Sequence, residues 1–312
     1  FVDAIEASNK LIEKGEGSAY IYSRLAEANY NIFSTVESEK WYAKAIEAGA
    51  SEPEMLFKYS EMLKANGKYE ASNVQMDKFA SMRPADDRAV MYKANPEYLS
   101  KILDKGKKFN VQSLDLNSKM SDFGGTLQDG KLYITSSRNA SRKNYGWNEE
   151  PFLDIYEYTV AEDESYQAEN LLDGKINTKY HEGIVSFTPD GKTMFFSRES
   201  FFENIYEKDS VSNTKYSVLH LFKAKKGSNG FSEVEALPIN SQNYSIKNPT
   251  ISQDGSTIYF ASDMPGGFGK FDIYKATLDA NGNVGTPVNM GQKVNTEGQE
   301  MFPLISDNNT LY

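Results

Sequence analysis

The stretch SFTPDGKTMFFSR, residues 186–198, decides the fold of the second part of the chain because it occurs there in three versions. Its pattern returns in TLQDGKLYITSSR at residues 126–138 and in ISQDGSTIYFASD at residues 251–263. In each copy an Asp-Gly pair separates two short runs rich in β-branched and aromatic side chains. Such runs predict β-strands, and glycine accepts the positive φ that a type I′ turn requires. The sequence therefore predicts three hairpins, turning at Asp-Gly pairs 129–130, 190–191 and 254–255.

A third strand follows each hairpin, and its copies read LDIYEY at 153–158, LHLFKA at 219–224 and FDIYKA at 271–276. Asn229-Gly and Asn281-Gly then turn the last two copies into a fourth strand. Four antiparallel strands per repeat are typical of a β-propeller blade. Residues 106–312 are thus predicted to hold three blades and, from Leu304 to Tyr312, the start of a fourth. Because propellers close with about four to eight blades, we expect the molecule to continue beyond Tyr312.

The first third of the chain is also repetitive, since residues 19–52 align with residues 53–86. The period of this repeat is that of tetratricopeptide helix pairs. In this register the interlocking positions hold Tyr22, Leu25, Ala26, Ser38, Tyr42 and Ala45 in one copy and Leu56, Tyr59, Ser60, Ser72, Met76 and Phe79 in the next. Residues 86–105, interrupted at Asn95-Pro96, are predicted to form a capping helix. The fold prediction is a tetratricopeptide α-solenoid over 1–105, followed by an incomplete β-propeller over 106–312.

Composition excludes several classes of function. The 312 residues carry 34 Lys+Arg against 44 Asp+Glu, a net charge of −10, with no cysteine and two histidines. Disulfide scaffolds, thiolate nucleophiles and zinc fingers are excluded, and a phosphate backbone is not the expected partner of an acidic chain. We expect no nucleic-acid partner, no cofactor, no metal site and no catalytic residue.

One position recurs in all three third strands and holds Asp154, His220 and Asp272. A repeated acid could serve catalysis or a metal. Repetition in every blade instead favours a structural role, such as binding backbone N–H groups at a blade turn. Histidine in one copy also disfavours a shared metal.

The helical repeats offer the best candidate for a binding surface. Residues spaced by three and four on the first helix of each repeat share the face that lines the concave side of such an array. Mixed aromatic and charged groups there suit a protein segment, with Tyr30 and Phe57 as exposed anchors. The alternative is that the capping helix covers this groove. The predicted partner-binding residues are Tyr20, Ser23, Glu27, Tyr30, Glu54, Phe57, Glu61 and Lys64.

Together, several segments resemble the PorE-like, OmpA-family proteins of Bacteroidota. They are the helical repeats, NPEYL at 95–99, LNSKMSDFG at 116–124, the Asp-Gly hairpins, GGFGKFDIY at 266–274 and VNTEGQE at 294–300. The resemblance implies tetratricopeptide repeats and a TolB-like propeller, followed in the family by a β-sandwich and a peptidoglycan-binding domain, which we expect to lie beyond Tyr312. It also implies a periplasmic location and an association with type IX secretion and gliding.

The function expected from these observations is that of a non-enzymatic periplasmic scaffold at the outer membrane. Its partners would be outer-membrane or periplasmic proteins, with peptidoglycan held only through a domain beyond Tyr312. The alternative is a propeller-type glycan hydrolase or lyase, or a glycan-binding protein without chemistry.

Overall fold

The computed structural model of the chain describes residues 1–95, 98–106, 109–173, 175–211 and 214–312. It divides into a helical unit, Phe1–Gln112 with Tyr145–Glu149, and a sheet unit, Ser113–Asn144 with Glu150–Tyr312. Among the described residues no helix combines the length and apolar character needed to cross a membrane. The predicted domain division at 105/106 stays a prediction.

The helical unit has seven helices in its described part. They are α1 (Val2–Glu13), α2 (Ala19–Asn31), α3 (Thr35–Glu47), α4 (Pro53–Ala65), α5 (Tyr69–Met82), α6 (Asp87–Ala94) and α7 (Tyr98–Leu103). The step from the start of α2 to the start of α4 equals the step from α3 to α5, and both match the period of the sequence repeat. α2 packs on α3 and α4 packs on α5. The structure is therefore an array of helix pairs with the period read from the sequence.

Buried serines make the same hydrogen bond in both helix pairs. Ser38 Oγ donates to Ala26 O at 3.0 Å, and its counterpart in the next repeat, Ser72 Oγ, donates to Ser60 O at 2.8 Å. A small hydroxyl side chain lets two helices approach closely and satisfies its own polar group with a backbone carbonyl. Around these contacts lies one buried core that includes Leu25, Tyr42, Ala45, Leu56, Met76 and Phe79.

Two helices of the array end at glycines. Gly49 and Gly67 follow α3 and α4 with φ of 97° and 75°, in the left-handed region that glycine adopts without strain. The next residue in each case donates back into the helix, Ala50 N to Ala45 O and Lys68 N to Leu63 O. These are Schellman-type ends, and they fix where each chain reversal falls.

The helical stretch predicted over residues 86–105 appears in the described residues as α6 and α7. α6 begins at Asp87, one repeat period after Pro53 begins α4, so it occupies the place of the next first helix. It therefore extends the face that it would cover in the alternative prediction. The break predicted at Asn95-Pro96 falls beside residues 96–97, which lie outside the described residues.

The sheet unit is built from three four-stranded antiparallel sheets and a small hairpin. Sheet 1 joins β1 (Asp122–Gln128), β2 (Lys131–Ser136), β3 (Asp154–Val160) and β4 (Tyr166–Leu171). Sheet 2 joins β5 (Glu182–Phe187), β6 (Thr193–Glu199), β9 (Leu219–Gly227) and β10 (Gly230–Ala236). The small hairpin of β7 (Glu207–Lys208) and β8 (Lys215–Tyr216) lies between β6 and β9 in the sequence. Sheet 3 joins β11 (Ile246–Ile251), β12 (Thr257–Ser262), β13 (Asp272–Thr277) and β14 (Val288–Asn289). Leu304 and Tyr312 exchange backbone hydrogen bonds at a further hairpin.

The three Asp-Gly turns are not of one type. At Asp129-Gly130 both residues have positive φ, 51° and 70°, as a type I′ turn requires. At 190–191 and 254–255 only the glycine does, and the hairpin closes through a longer loop, with Thr188 N bonded to Thr193 O. The prediction of type I′ is therefore wrong for the second and third hairpins, because their flanking Thr-Pro and Ser-Gln residues belong to the turn.

Hydroxyl side chains form hydrogen bonds between neighbouring sheets, from the second strand of one sheet to the first strand of the next. Thr135 Oγ1 accepts from Ile184 N at 2.8 Å between sheets 1 and 2. Ser197, at the equivalent position of sheet 2, accepts from Asn248 N of sheet 3 at 3.2 Å. This repeated bond satisfies a backbone N–H of the first strand, β5 or β11, at the point where its register against the second strand shifts.

Candidate functional site

The eight residues predicted for partner binding lie on α2 and α4, on the side that α6 continues. Their exposure differs strongly. Tyr20 is 68% exposed and Glu54 is also exposed, whereas the remaining six are half-buried: Ser23, Glu27, Tyr30, Phe57, Glu61 and Lys64.

The exposure expected for Tyr30 and Phe57 is wrong. Both rings pack against the helical core, to the same half-buried degree as Tyr22 and Tyr59. The Phe57 ring lies 5.4 Å from that of buried Phe79. The helical period could not distinguish a groove from the space between successive first helices, which these rings help to fill. Among the eight predicted residues Tyr20 is the exposed aromatic side chain, and it can meet a partner.

Glu27 is held inside a network of neighbouring side chains. Its carboxylate forms an ion pair with Lys58 of α4 and accepts from the Tyr42 hydroxyl at 3.1 Å. Lys58 Nζ also lies 5.1 Å from the centre of the Tyr30 ring. Burial, together with the Glu27 charge, raises the pKa of Tyr42 well above its ordinary value, so this hydroxyl remains a donor. Glu27 therefore positions α2 against α4.

A cavity of about 440 Å³ opens between α2, α4 and the turn that follows α3. Four of the predicted residues line it: Tyr20, Ser23, Glu27 and Glu54. Its other lining residues are Ala19, Arg24, Tyr42, Gly49, Ala50, Glu52 and Met55. Carboxylates, one guanidinium, two phenol rings and a thioether make a mixed surface that can take one side chain of a bound segment.

The rest of the face is occupied by the chain's own ion pairs. Arg88 of α6 forms two hydrogen bonds with Glu54, of 3.1 and 2.9 Å, and Lys64 Nζ lies 3.0 Å from Glu61 Oε1. The Arg88 guanidinium also stacks on Phe57, 4.2 Å from the ring centre. The open part of the face is therefore its α2 end.

The strand register places Asp154, His220 and Asp272 at one equivalent position, opposite Ser136, Arg198 and Ser262. All three side chains are at most 2% exposed. Asp154 pairs with Arg142 at 2.7 Å. His220 bonds to Glu203 and, through Nε2, to Ser241 O at 3.0 Å.

Asp272 binds backbone N–H groups. It accepts from Phe268 N at 2.6 Å and from Gly269 N at 3.0 Å, which ties down the loop before its strand. In each sheet the residue thus holds the loop that connects the second and third strands, by a different partner each time. Burial keeps all three side chains away from a substrate.

A second repeated residue of the sheet unit was not predicted from the sequence. It is an asparagine that binds the backbone of the residue directly after Asp154, His220 or Asp272. Its side chain accepts from the N–H and donates to the C=O of that residue. The pairs are Asn177 with Ile155, Asn240 with Leu221 and Asn295 with Ile273. One amide thereby replaces a missing strand partner. The recurring dipeptide Asn-Thr or Asn-Ser at 177, 240 and 295 is the signal that could have revealed it.

Sheet 2 contains a buried charged cluster around Arg198. Arg198 is fully buried, donates to Glu182 at 3.0 Å and to Ile176 O at 2.7 Å, and stacks on Phe202 at 4.3 Å. The next residue, Glu199, is 9% exposed, and burial raises its pKa to about 7. In the described ranges no cluster of three or more His, Cys, Asp or Glu could hold a metal ion.

No known family model matches the chain, and no curated protein sequence matches it. Solved structures similar to it include TolB from Acinetobacter baumannii, at 16% identity and a TM-score of 0.37, over 62% of this chain and 37% of that one. A putative TolB from Agrobacterium tumefaciens matches at 14% and 0.35, over 57% and 47% of the two chains. An α-L-arabinofuranosidase from Lactobacillus brevis matches at 14% and 0.33, over 55% and 52%. The chain spans about half of the length of these proteins or less, and TM-scores below 0.5 establish neither a common fold nor a common activity.

Proposed function

We propose that the chain is a non-enzymatic scaffold that holds a segment of a partner protein against the α2 end of its helical array. The observation that carries this proposal is the cavity beside exposed Tyr20, on a face whose other end is filled by the chain's own ion pairs. Exposed tyrosine at the rim of a cavity is a favoured anchor for protein contacts.

The finer assignment of the fold belongs to the same proposal. The helix pairs, with their repeat period and repeated serine bonds, are those of a tetratricopeptide array. The four-stranded antiparallel sheets, joined side by side along their inner strands, are blades of a β-propeller.

The location and partners follow from the resemblance to PorE-like, OmpA-family proteins of Bacteroidota. On this proposal the protein works in the periplasm beside the outer membrane, near a type IX secretion or gliding complex. Peptidoglycan would be bound through a domain beyond Tyr312.

Burial of four acids in the sheet unit supports a scaffold over a glycan hydrolase or lyase that would use them. Glu182, Glu199, Asp154 and Asp272 are all buried, and they lie in strands or hold loops. General acid and base catalysis on a glycan requires carboxylates within reach of the glycosidic bond.

The proposal is tested by replacing Tyr20 with a photo-crosslinking phenylalanine derivative in the full chain. The matched control carries the same residue in place of Val74, which is exposed on α5. After irradiation in an envelope fraction of the producing organism, we expect one defined protein adduct from position 20 and none from position 74. Equal adducts from both positions, or none from position 20, would contradict the proposal.

A further inference from the structure

The cavity at the α2 end has a filled counterpart one repeat later. A shift by one repeat period carries its lining residues Tyr20, Ser23, Glu52 and Glu54 onto Glu54, Phe57, Asp86 and Arg88. The two places are thus the same position in successive repeats of the array, and their contents can be compared residue by residue.

At the filled counterpart the space is taken by the guanidinium group of Arg88. Arg88 Nη2 lies 2.9 Å from both Glu54 Oε2 and Asp86 Oδ2, and Arg88 Nε lies 2.9 Å from Asp86 Oδ1. The guanidinium carbon lies 4.2 and 4.9 Å from the centres of the Phe57 and Phe79 rings. Two carboxylates and two aromatic faces satisfy both the charge and the flat surface of an arginine head group.

At the cavity of the α2 end, small side chains replace the two phenylalanines, and a carboxylate stands in the place of Asp86. Glu52, the counterpart of Asp86, is exposed and forms no ion pair with any described residue. Ser23 and Ala45 stand where Phe57 and Phe79 stand in the next repeat, and Ser23 lines the space that a ring in the place of Phe57 would fill. Glu54, the counterpart of Arg88, is engaged by Arg88 itself. The phenol rings of Tyr20 and Tyr42 line the cavity instead.

We propose that this cavity binds an arginine side chain supplied by the partner segment, with Glu52 as the ion-pairing carboxylate and Tyr20 as the stacking surface. The inference rests on the proposed function, since it specifies the chemistry of the segment that the scaffold holds. Arg24 already stacks on the Tyr20 ring, with its guanidinium carbon 5.2 Å from the ring centre. The ring therefore accepts a guanidinium, and removal of the Arg24 charge should strengthen binding of a second one.

The test uses the full 312-residue chain and two fluorescein-labelled blocked peptides, Gly-Ser-Ala-Arg-Ala-Ser-Gly and the same peptide with Gln in place of Arg. We expect fluorescence anisotropy to give at least tenfold tighter binding of the arginine peptide. Glu52→Gln should reduce that binding at least fivefold, Arg24→Gln should increase it, and Ser23→Phe should abolish it by filling the space. Glu70→Gln, which alters an exposed carboxylate on α5, is the matched control and should leave binding unchanged.

Equal binding of the two peptides, or full binding by Glu52→Gln, would overturn the arginine site. Thermal melting of each variant identifies a folding defect, and Glu52→Gln keeps the test decisive if Ser23→Phe does not fold. A crosslinked partner at position 20 without arginine preference would remove this inference and leave the scaffold proposal standing. Arginine-dependent binding without a crosslinked partner would do the reverse.

Discussion

At the scale of single residues, Glu199 carries an ionisable group into the interior of sheet 2. Its Oε2 has no hydrogen-bond partner among the described residues, and burial raises its pKa to about 7 from an ordinary value near 4.5. The folded chain therefore binds this proton more tightly than the unfolded chain does. The stability gained is present in full below about pH 4.5 and is lost as the pH rises through about 7.

We predict that Glu199→Gln stabilises the protein at pH 8 relative to the natural chain, by about 2–3 kcal/mol, because the amide never ionises. At pH 4.5 the difference should nearly vanish. Urea unfolding at the two pH values measures it, with Glu207→Gln, on the exposed strand β7, as the control. A stability difference that does not change with pH would show that Glu199 does not titrate in this range.

At the scale of elements, the third strand of each sheet depends on an amide from a loop. Asn177 is 2% exposed and makes hydrogen bonds with Ile155 N, Ile155 O and Leu172 O. These bonds satisfy the backbone groups just where strand β3 loses its neighbour. The dipeptide Asn117-Ser118 has the same sequence pattern, but Asn117 is exposed, and its side chain accepts from the exposed Leu114 N.

Asn177→Ala should lower the free energy of unfolding by about 1–3 kcal/mol, because it leaves the buried Ile155 N–H without its acceptor. Ile155 O keeps the hydrogen bond from Leu172 N. Asn117→Ala should lower it by less than about 1 kcal/mol, since water can replace the lost bond. Chemical denaturation of both variants checks the contrast. A loss of equal size at the two positions would mean that the amide's burial is not what matters.

Much of the element order could be read from the sequence, because period and turn chemistry are local. The helical repeat placed α2 to α5, and the Asp-Gly repeats placed the inner hairpins of all three sheets. What could not be read depends on distant neighbours. The burial of Phe57 is set by Phe79 and Arg88, and the β7–β8 hairpin has no counterpart in the described parts of the other two sheets to reveal it.

The candidate site was predictable in part for the same reason. Tyr20, Ser23 and Glu27 share one face of α2 by spacing, and Glu54 holds the position of Tyr20 one repeat later on α4. The structure brings all four to one cavity. Glu52 was missed because it precedes α4 and has no place in a helical period. The role proposed for Glu52 follows only from the comparison of two repeats. Asp86, its counterpart, forms a salt bridge with Arg88, whereas Glu52 has no such arginine.

At the scale of the whole molecule, stability and binding should separate between two aromatic residues of the same helical face. Phe57 packs on Phe79 beneath Arg88, so its ring belongs to the core. Tyr20 is 68% exposed, and its ring contacts Arg24 on its own helix. A scaffold needs both kinds of residue, one to hold the helices in register and one to meet the partner.

In the full chain, Phe57→Ala should lower the free energy of unfolding by about 2–4 kcal/mol through the cavity that it leaves. Tyr20→Ala should cost less than about 1 kcal/mol of stability, yet weaken binding of the crosslinked partner by about 2 kcal/mol, roughly thirtyfold in affinity. Thermal melting and titration of the purified partner measure the two effects, and Val74→Ala, at an exposed position of α5, controls for a general loss of apolar surface. If folded Tyr20→Ala retained full affinity, the α2 end of the array could not be the binding surface, and the sheet unit would be the next place to search for it.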